Sequence, residues 1–366
     1  MTTIRQSYQR LLQLVGAAFL FTAVVVCPNA ASSAEVLRLD NAVGHLNSPY
    51  PVSGLIRVAE GVYVEYRDWG GEGTPIILLS GLGDTAAVYD ELAPRLTPFH
   101  RVLGLTRRGY GASSTPGEGY DVATRVADDL AALNALGVRR ALLVGHSIAG
   151  DELTGIAQAR PDLLAGLVYL DAALDRTDPA LAVFDECMQM TPTPEALIPF
   201  APGEVQNVGG DLELVTFTAA AKFVSAILGA SYPVSELHRK FAFNPNGTLG
   251  TVQHSIAEPA LSAGTAAVGP DYRGIKVPIT ALYADDAQPE VAFPIAALAG
   301  SEVRASLQDC ATRIAKAKRT LGADKLRAAV PDARIEIVPN GPHYFFLQQP
   351  DLVAREVLST AARAKF

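Results

Sequence analysis

The strongest constraint on how this chain can fold is a recurring series of short, continuous apolar runs separated by helix-length stretches. Residues 54–59 and 62–67 read as two strands joined by a tight turn at Glu60-Gly61. Further runs follow at 76–80, 102–106, 141–145 and 167–171, and again at 279–284 and 335–338. Runs that are apolar throughout, rather than at alternate positions, suit strands covered on both faces. The stretches 86–96, 122–136 and 148–159 suit helices, the last ending just before Pro161. This alternation predicts an α/β architecture, a mostly parallel sheet flanked by helices. With 49% hydrophobic and 19% charged residues, the chain has the composition of one large buried core rather than of a disordered polymer.

Two intervals break the rhythm. Between Asp171 and Ile279 no comparable strand run occurs, and Pro, Gly, Ala and Thr become frequent around apolar patches such as 217–228. An interval of that length needs structure of its own, and residues 174–275 are expected to form a helical cap inserted after the sixth strand. The sheet domain is then made of residues 35–173 and 276–366. A second insertion, residues 290–326, is rich in Ala, Lys and Arg and also reads as helical.

The first 34 residues read as a secretory signal peptide. Arg5 and Arg10 precede an apolar run over 11–26, and Ser32-Ser33-Ala34 supplies a small-residue cleavage site before Glu35. The expected location is therefore secreted or periplasmic, with no stable membrane insertion after cleavage. Removing Arg5 and Arg10 makes a net charge of −8 still more negative, and no basic cluster is present, which argues against nucleic acid as a partner. Of three cysteines, Cys187 and Cys310 follow the cleavage site, and in an oxidising compartment they are expected to pair.

The run 141–145 ends in Gly145-His146-Ser147-Ile148-Ala149-Gly150. A serine between small residues at a strand-to-helix junction is what a nucleophile on a sharp, strained turn requires, with Gly145 and Ala149 as its small flanks. The chain around it supplies three matching features. Ser80-Gly81-Leu82-Gly83-Asp84 follows the 76–79 strand, and the amides of Leu82 and Ile148 are candidates for binding an oxyanion. Of six histidines, only His343 combines a late position with a loop after a strand, so it is the candidate base. The acid that would orient it is sought among strand-end aspartates. Asp286 is preferred because it leaves a short turn after the 279–284 strand, Asp285 stands second, and Asp171 third. Asp151 and Glu152 open the helix behind Ser147, where first-turn acids are stabilised by the helix dipole.

Taken together, these elements resemble the α/β-hydrolase fold superfamily over residues 54–363. The order Ser147, acid, His343 is the order of that superfamily. Arg108-Gly109-Tyr110-Gly111-Ala112-Ser113 resembles the Arg-Gly-x-Gly-x-Ser segment that its members carry after the fourth strand. The chain departs from the pattern at Ser80, where many members have histidine, at Thr106, where many have aspartate, and at Ala149, where a second elbow glycine is usual. The resemblance implies a serine hydrolase acting on an ester or related acyl bond of a small, fairly apolar molecule, through an acyl-enzyme and without metal or organic cofactor. Amide or carbon–carbon bond hydrolysis would use the same residues. A small-molecule-binding protein of the same fold with little turnover is the alternative of a different class.

Overall fold

The computed structural model describes residues 36–38, 51–188, 205–208, 211–214, 216–243, 249–252, 257–294, 296 and 301–364. The expected signal peptide, residues 1–34, lies outside the described residues. No helix among the described residues is long and apolar enough to cross a membrane.

The apolar runs become the strands of one sheet: β1 (Val36–Arg38), β2 (Val52–Ala59), β3 (Val62–Gly70), β4 (Ile76–Leu79), β5 (Val102–Thr106), β6 (Ala141–His146) and β7 (Leu164–Leu170). After a long insertion come β12 (Ile279–Tyr283) and β13 (Arg334–Ile337). The order across the sheet is β1-β2-β3-β5-β4-β6-β7-β12-β13. The first pairings, as far as β3 with β5, are antiparallel, and every pairing from β5 to β13 is parallel. Parallel strands need both faces covered, and all residues of β4 to β7 and of β12 are buried. Edge strand β13 is different: its residues are half-buried or exposed, and Ile337 is 64% exposed. Short β1, with a single sheet neighbour, has no apolar run long enough to announce it.

Helices Val122–Ala135 and Ala149–Ala159 form where the periodicity placed them, the first capped by Asp121 accepting from the Thr124 amide at 2.9 Å. The stretch 86–96 is instead two single 3-10 turns, Ala86–Tyr89 and Ala93–Arg95. Pro94 has no N–H with which to continue a helical ladder through this segment.

In its described part the cap holds helices Ala182–Met188, Phe217–Leu228, Val234–Lys240 and Glu258–Ala266. It also holds two hairpins, β8 (Val205–Val208) with β9 (Asp211–Leu214) and β10 (Phe241–Phe243) with β11 (Leu249–Val252), so it is not purely helical. Helix Phe217–Leu228 is capped by Thr216 at its start and stops at Gly229, whose φ of 66° suits glycine. Its stripe Ala220, Phe223, Val224 and Ile227 has helical spacing and packs into the core cluster that contains Tyr89 and Phe345. The second insertion forms helix Ser301–Lys318, which buries Leu307, Cys310, Ala311 and Ile314 against a cluster containing Leu181 and Cys187. Cys187 and Cys310 stand at disulfide distance, with Cα atoms 5.6 Å apart. The two insertions thus share a small core at the sheet's carboxyl end.

Candidate active site

Ligand sites in open α/β sheets form outside the carboxyl ends of the strands, and the predicted site residues gather there. Ser147 follows β6 directly and adopts φ of 54°, in the left-handed region that a non-glycine residue enters only when its surroundings hold it. Its amide donates to the Leu170 carbonyl at 3.1 Å, which pins the turn to β7. A side chain on Gly145 would meet Leu153 Cδ1 at 2.7 Å and Ala149 Cβ at 3.1 Å. One on Gly150 would meet the Ala172 carbonyl oxygen at 2.1 Å. The space that this turn requires is therefore provided by Gly145 and Gly150, and buried Ala149 is accommodated at the expected second glycine.

His343 reaches the same place from the loop after β13. That loop is held by Val338 N to Tyr283 O (2.9 Å), Asp285 N to Gly341 O (2.9 Å) and Asn340 N to Asp285 Oδ2 (3.1 Å). The His343 ring lies 4.5 Å, centroid to centroid, from His146, the residue preceding Ser147. His146 is fully buried and donates through Nε2 to the His343 carbonyl at 3.1 Å. Burial first, and His343 second, lowers its pKa to about 3, so it is a neutral packing and anchoring group. Nothing in the sequence around His146 signals this role, because the loop that it braces is joined to it only by the fold.

The expectation that Asp286 orients His343 is not met. His343 Nδ1 lies 2.5 Å from Asp171 Oδ2, at the end of β7. Asp171 is the second of three non-glycine residues with positive φ among the described residues, at 51°. Its amide donates to Leu282 O at 2.7 Å, and its Oδ1 accepts from Ala284 N at 3.2 Å. These bonds turn its carboxylate across the mouth of the next strand toward His343. Asp285 instead accepts the Asn340 amide, and Asp286 pairs with the ammonium of Lys318. Burial acts to raise the Asp171 pKa, but Lys318 and His343 outweigh it and hold the group ionised, well below the usual carboxylate range. Asp286 is shifted the other way: burial and Asp171 raise it against the pull of Lys318.

The loop after β4 lies over the serine. A Cβ on Gly81 would sit 2.7 Å from His146 Nδ1 and 3.3 Å from Ser147 Cβ, so a glycine is needed for this approach. Leu82, the next residue, packs against Tyr110, Tyr120, Ala257 and Leu261. Behind the loop Arg107 donates from Nη1 to Gly81 O at 2.9 Å and from Nη2 to Ser80 O at 2.8 Å, while its Nε meets Glu152 Oε1 at 2.9 Å. Arg108, which carries the motif resemblance, faces away and forms a bidentate pair with Asp128 (2.6 and 2.7 Å). Asp151 and Glu152 are more than first-turn acids. Both are buried and ion-paired, Asp151 to Arg176 at 3.0 Å and Glu152 to Arg107.

The cap is fastened to the same loop. Asp84 is fully buried, accepts from Tyr344 OH at 2.9 Å and from Tyr232 OH, and pairs with Lys240 Nζ at 2.9 Å. Glu236, on the helix that ends at Lys240, accepts from Thr85 N at 2.9 Å and bonds its hydroxyl.

Sheet order, strand-end site and flanking helices define the α/β-hydrolase fold, and residues 76–356 match the model of the Alpha/beta hydrolase family. The chain belongs to that family. It is 33% identical over 144 residues to a non-heme chloroperoxidase of Streptomyces lividans, covering 36% of this chain and 52% of the relative. It is also 33% identical over 102 residues to a 2-(acetamidomethylene)succinate hydrolase of Mesorhizobium japonicum, covering 28% of this chain and 36% of the relative. The chain thus spans about half the length, or less, of these curated relatives. Among solved structures, an E-2-(acetamidomethylene)succinate hydrolase superposes with a TM-score of 0.59 at 18% identity, over 86% of this chain and 100% of the other, a likeness of fold.

Proposed function

We propose that the protein is a serine hydrolase that cleaves an ester or related acyl bond of a small, fairly apolar molecule through an acyl-enzyme. The observation that carries this reading is the hydrogen bond between His343 Nδ1 and ionised Asp171, formed beside a serine held at left-handed φ. In the proposed reaction His343 takes the Ser147 hydroxyl proton as Oγ attacks the acyl carbon. It returns that proton to the leaving group as the carbon–heteroatom bond breaks. Water, activated by the same imidazole, then releases the acyl group. Asp171 fixes the histidine tautomer and balances the imidazolium. The amides of Leu82 and Ile148 receive the oxyanion, the first on the loop over Ser147 and the second at the start of the helix behind it. Export after cleavage at Ala34 accords with the Cys187–Cys310 pairing.

A fluorophosphonate probe tests this reading without a known substrate. Wild-type protein is expected to label at Ser147, Ser147→Ala not at all, and His343→Ala very slowly. Asp171→Asn is expected to label roughly 10⁴-fold more slowly, whereas Asp285→Asn and Asp286→Asn remain reactive. An unlabelled, correctly folded wild type would instead favour a binding protein. Loss of labelling in Asp286→Asn alone would return the acid to the position that the sequence favoured.

A further inference from the structure

Lys318 is the last residue of helix Ser301–Lys318, in the second insertion, and its side chain enters the core behind the triad. Only 9% of the side chain is exposed. Its Nζ lies 2.6 Å from Asp171 Oδ2, the same oxygen that meets His343 Nδ1, and it also pairs with Asp286 Oδ2. The ring of Phe184, on the cap, covers it at 5.7 Å. A buried ammonium paired with a single carboxylate would cancel the charge that an imidazolium needs. Two carboxylates around one ammonium leave one net negative charge, which is that of an isolated aspartate.

We propose that Lys318 and Asp286 are positioning residues for the acyl transfer, a matched pair of charges behind Asp171. Lys318 clamps the Asp171 carboxylate in the orientation that faces His343, and Asp286 restores the negative charge that Lys318 removes. Neither gives or takes a proton in the reaction. The proposal rests on the serine hydrolase reading above.

The charged and titratable groups around the pair come from every neighbouring element. Asp171 lies at the end of β7, and Asp285, Asp286 and Tyr283 at the end of β12. His343 and Tyr344 come from the last loop, and His146 from the end of β6. Tyr283 donates to Ala173 O at 2.7 Å, Tyr344 donates to Asp84, and Asp285 accepts the Asn340 amide. Asp84 is further away, bonded to Tyr344 and paired with Lys240, so among the described residues Lys318 and Asp286 are the charges joined to the Asp171 carboxylate behind His343.

The test is the pH dependence of fluorophosphonate labelling of Ser147 between pH 5 and 9. Asp286→Asn keeps the shape and leaves Lys318 opposed by Asp171 alone, so the acid limb of the profile is expected to move down by roughly one pH unit. The double variant Lys318→Met/Asp286→Asn has the parent's net charge, and its acid limb is expected to return to the parent's position although two polar contacts are gone. Lys318→Arg is expected to keep the parent's profile. An acid limb unmoved in Asp286→Asn, or not restored in the double variant, overturns the proposal while labelling of the parent still upholds the hydrolase. Should the double variant fail to fold by circular dichroism, the contrast between Asp286→Asn and Lys318→Arg decides. An unreactive parent refutes the hydrolase itself.

Discussion

Replacing Arg107 separates the stability of the buried charges from the shape of the loop over Ser147. Its guanidinium meets Glu152 in a bidentate pair and the carbonyls of Ser80 and Gly81, all in the protein interior. Arg107→Met keeps an unbranched stem and removes every one of these bonds. Breaking a buried ion pair by deleting one partner typically costs about 3–5 kcal/mol. The stranded Ser80 carbonyl pushes toward the upper end, at about 1–3 kcal/mol when unsatisfied, whereas Gly81 O keeps the Asp84 amide at 3.5 Å. Arg125 Nη1, 3.6 Å from Glu152 Oε1, pulls the other way because it leaves Glu152 a second cation. The net expectation is about 3–5 kcal/mol, or about 4–7 °C in melting temperature for a chain of this size. Because Arg107 no longer ties down the Ser80 and Gly81 carbonyls, labelling of Ser147 per folded molecule is also expected to slow, roughly 10-fold to 100-fold, less than the 10²–10³ that one oxyanion donor is worth. Glu152→Gln provides the contrast: it strands two buried guanidiniums and destabilises similarly, yet leaves Arg107 bonded to Ser80 and Gly81, so labelling is expected to slow much less. Urea denaturation measures the first quantity, and probe kinetics on protein shown to be folded measure the second. Equal labelling rates in the two variants would refute the bracing role of Arg107.

Two further outcomes follow from the same geometry. Burial, helped by Asp84 and opposed by Lys240, raises the Glu236 carboxyl to about 7. With the folded pKa above the unfolded value of 4.5, the native state holds the extra proton, so this group's stabilising contribution is full below pH 4.5 and declines as pH rises through 7. Glu236→Gln retains groups able to bond Thr85, removes that slope, and is expected to raise stability at pH 8 by up to about 3 kcal/mol relative to the parent, with little change at pH 4.5. Urea midpoints at the two pH values check it. Gly150→Ala is expected to destabilise by about 3 kcal/mol or more, because its Cβ would fall 2.1 Å from the Ala172 carbonyl oxygen and backbone must move. A variant melting within a degree or two of the parent would show that the turn behind Ser147 yields easily.

The fold was legible in the sequence because a parallel sheet writes itself locally. Residues 76–79, 102–106, 141–146, 164–170 and 279–283 are buried throughout and nearly all apolar, with Thr106, His146 and Thr280 as the polar exceptions, and the positions of Ser147 and His343 follow from which runs they terminate. Other segments were harder to read. Edge strand β1 has too few residues to show a period, and the cap hairpins β8–β9 and β10–β11 do not stand out as apolar runs in a Gly- and Pro-rich interval.

By itself, then, the sequence determined the α/β sheet, the strand-end serine and the late histidine, since each depends on the periodicity of its own segment. Which acid faces His343 was decided only by tertiary structure. Asp171, Asp285 and Asp286 are equivalent as residues after a strand; they diverge because Asp171 is held in a left-handed turn. A loop amide claims Asp285, and Asp286 meets an ammonium carried by a distant helix. The same holds for Arg107 and Arg108, adjacent in the chain and turned to opposite tasks, one under the loop at Ser80 and Gly81 and one against Asp128. Charges choose partners by distance in space after the chain has packed, and no local pattern encodes that distance.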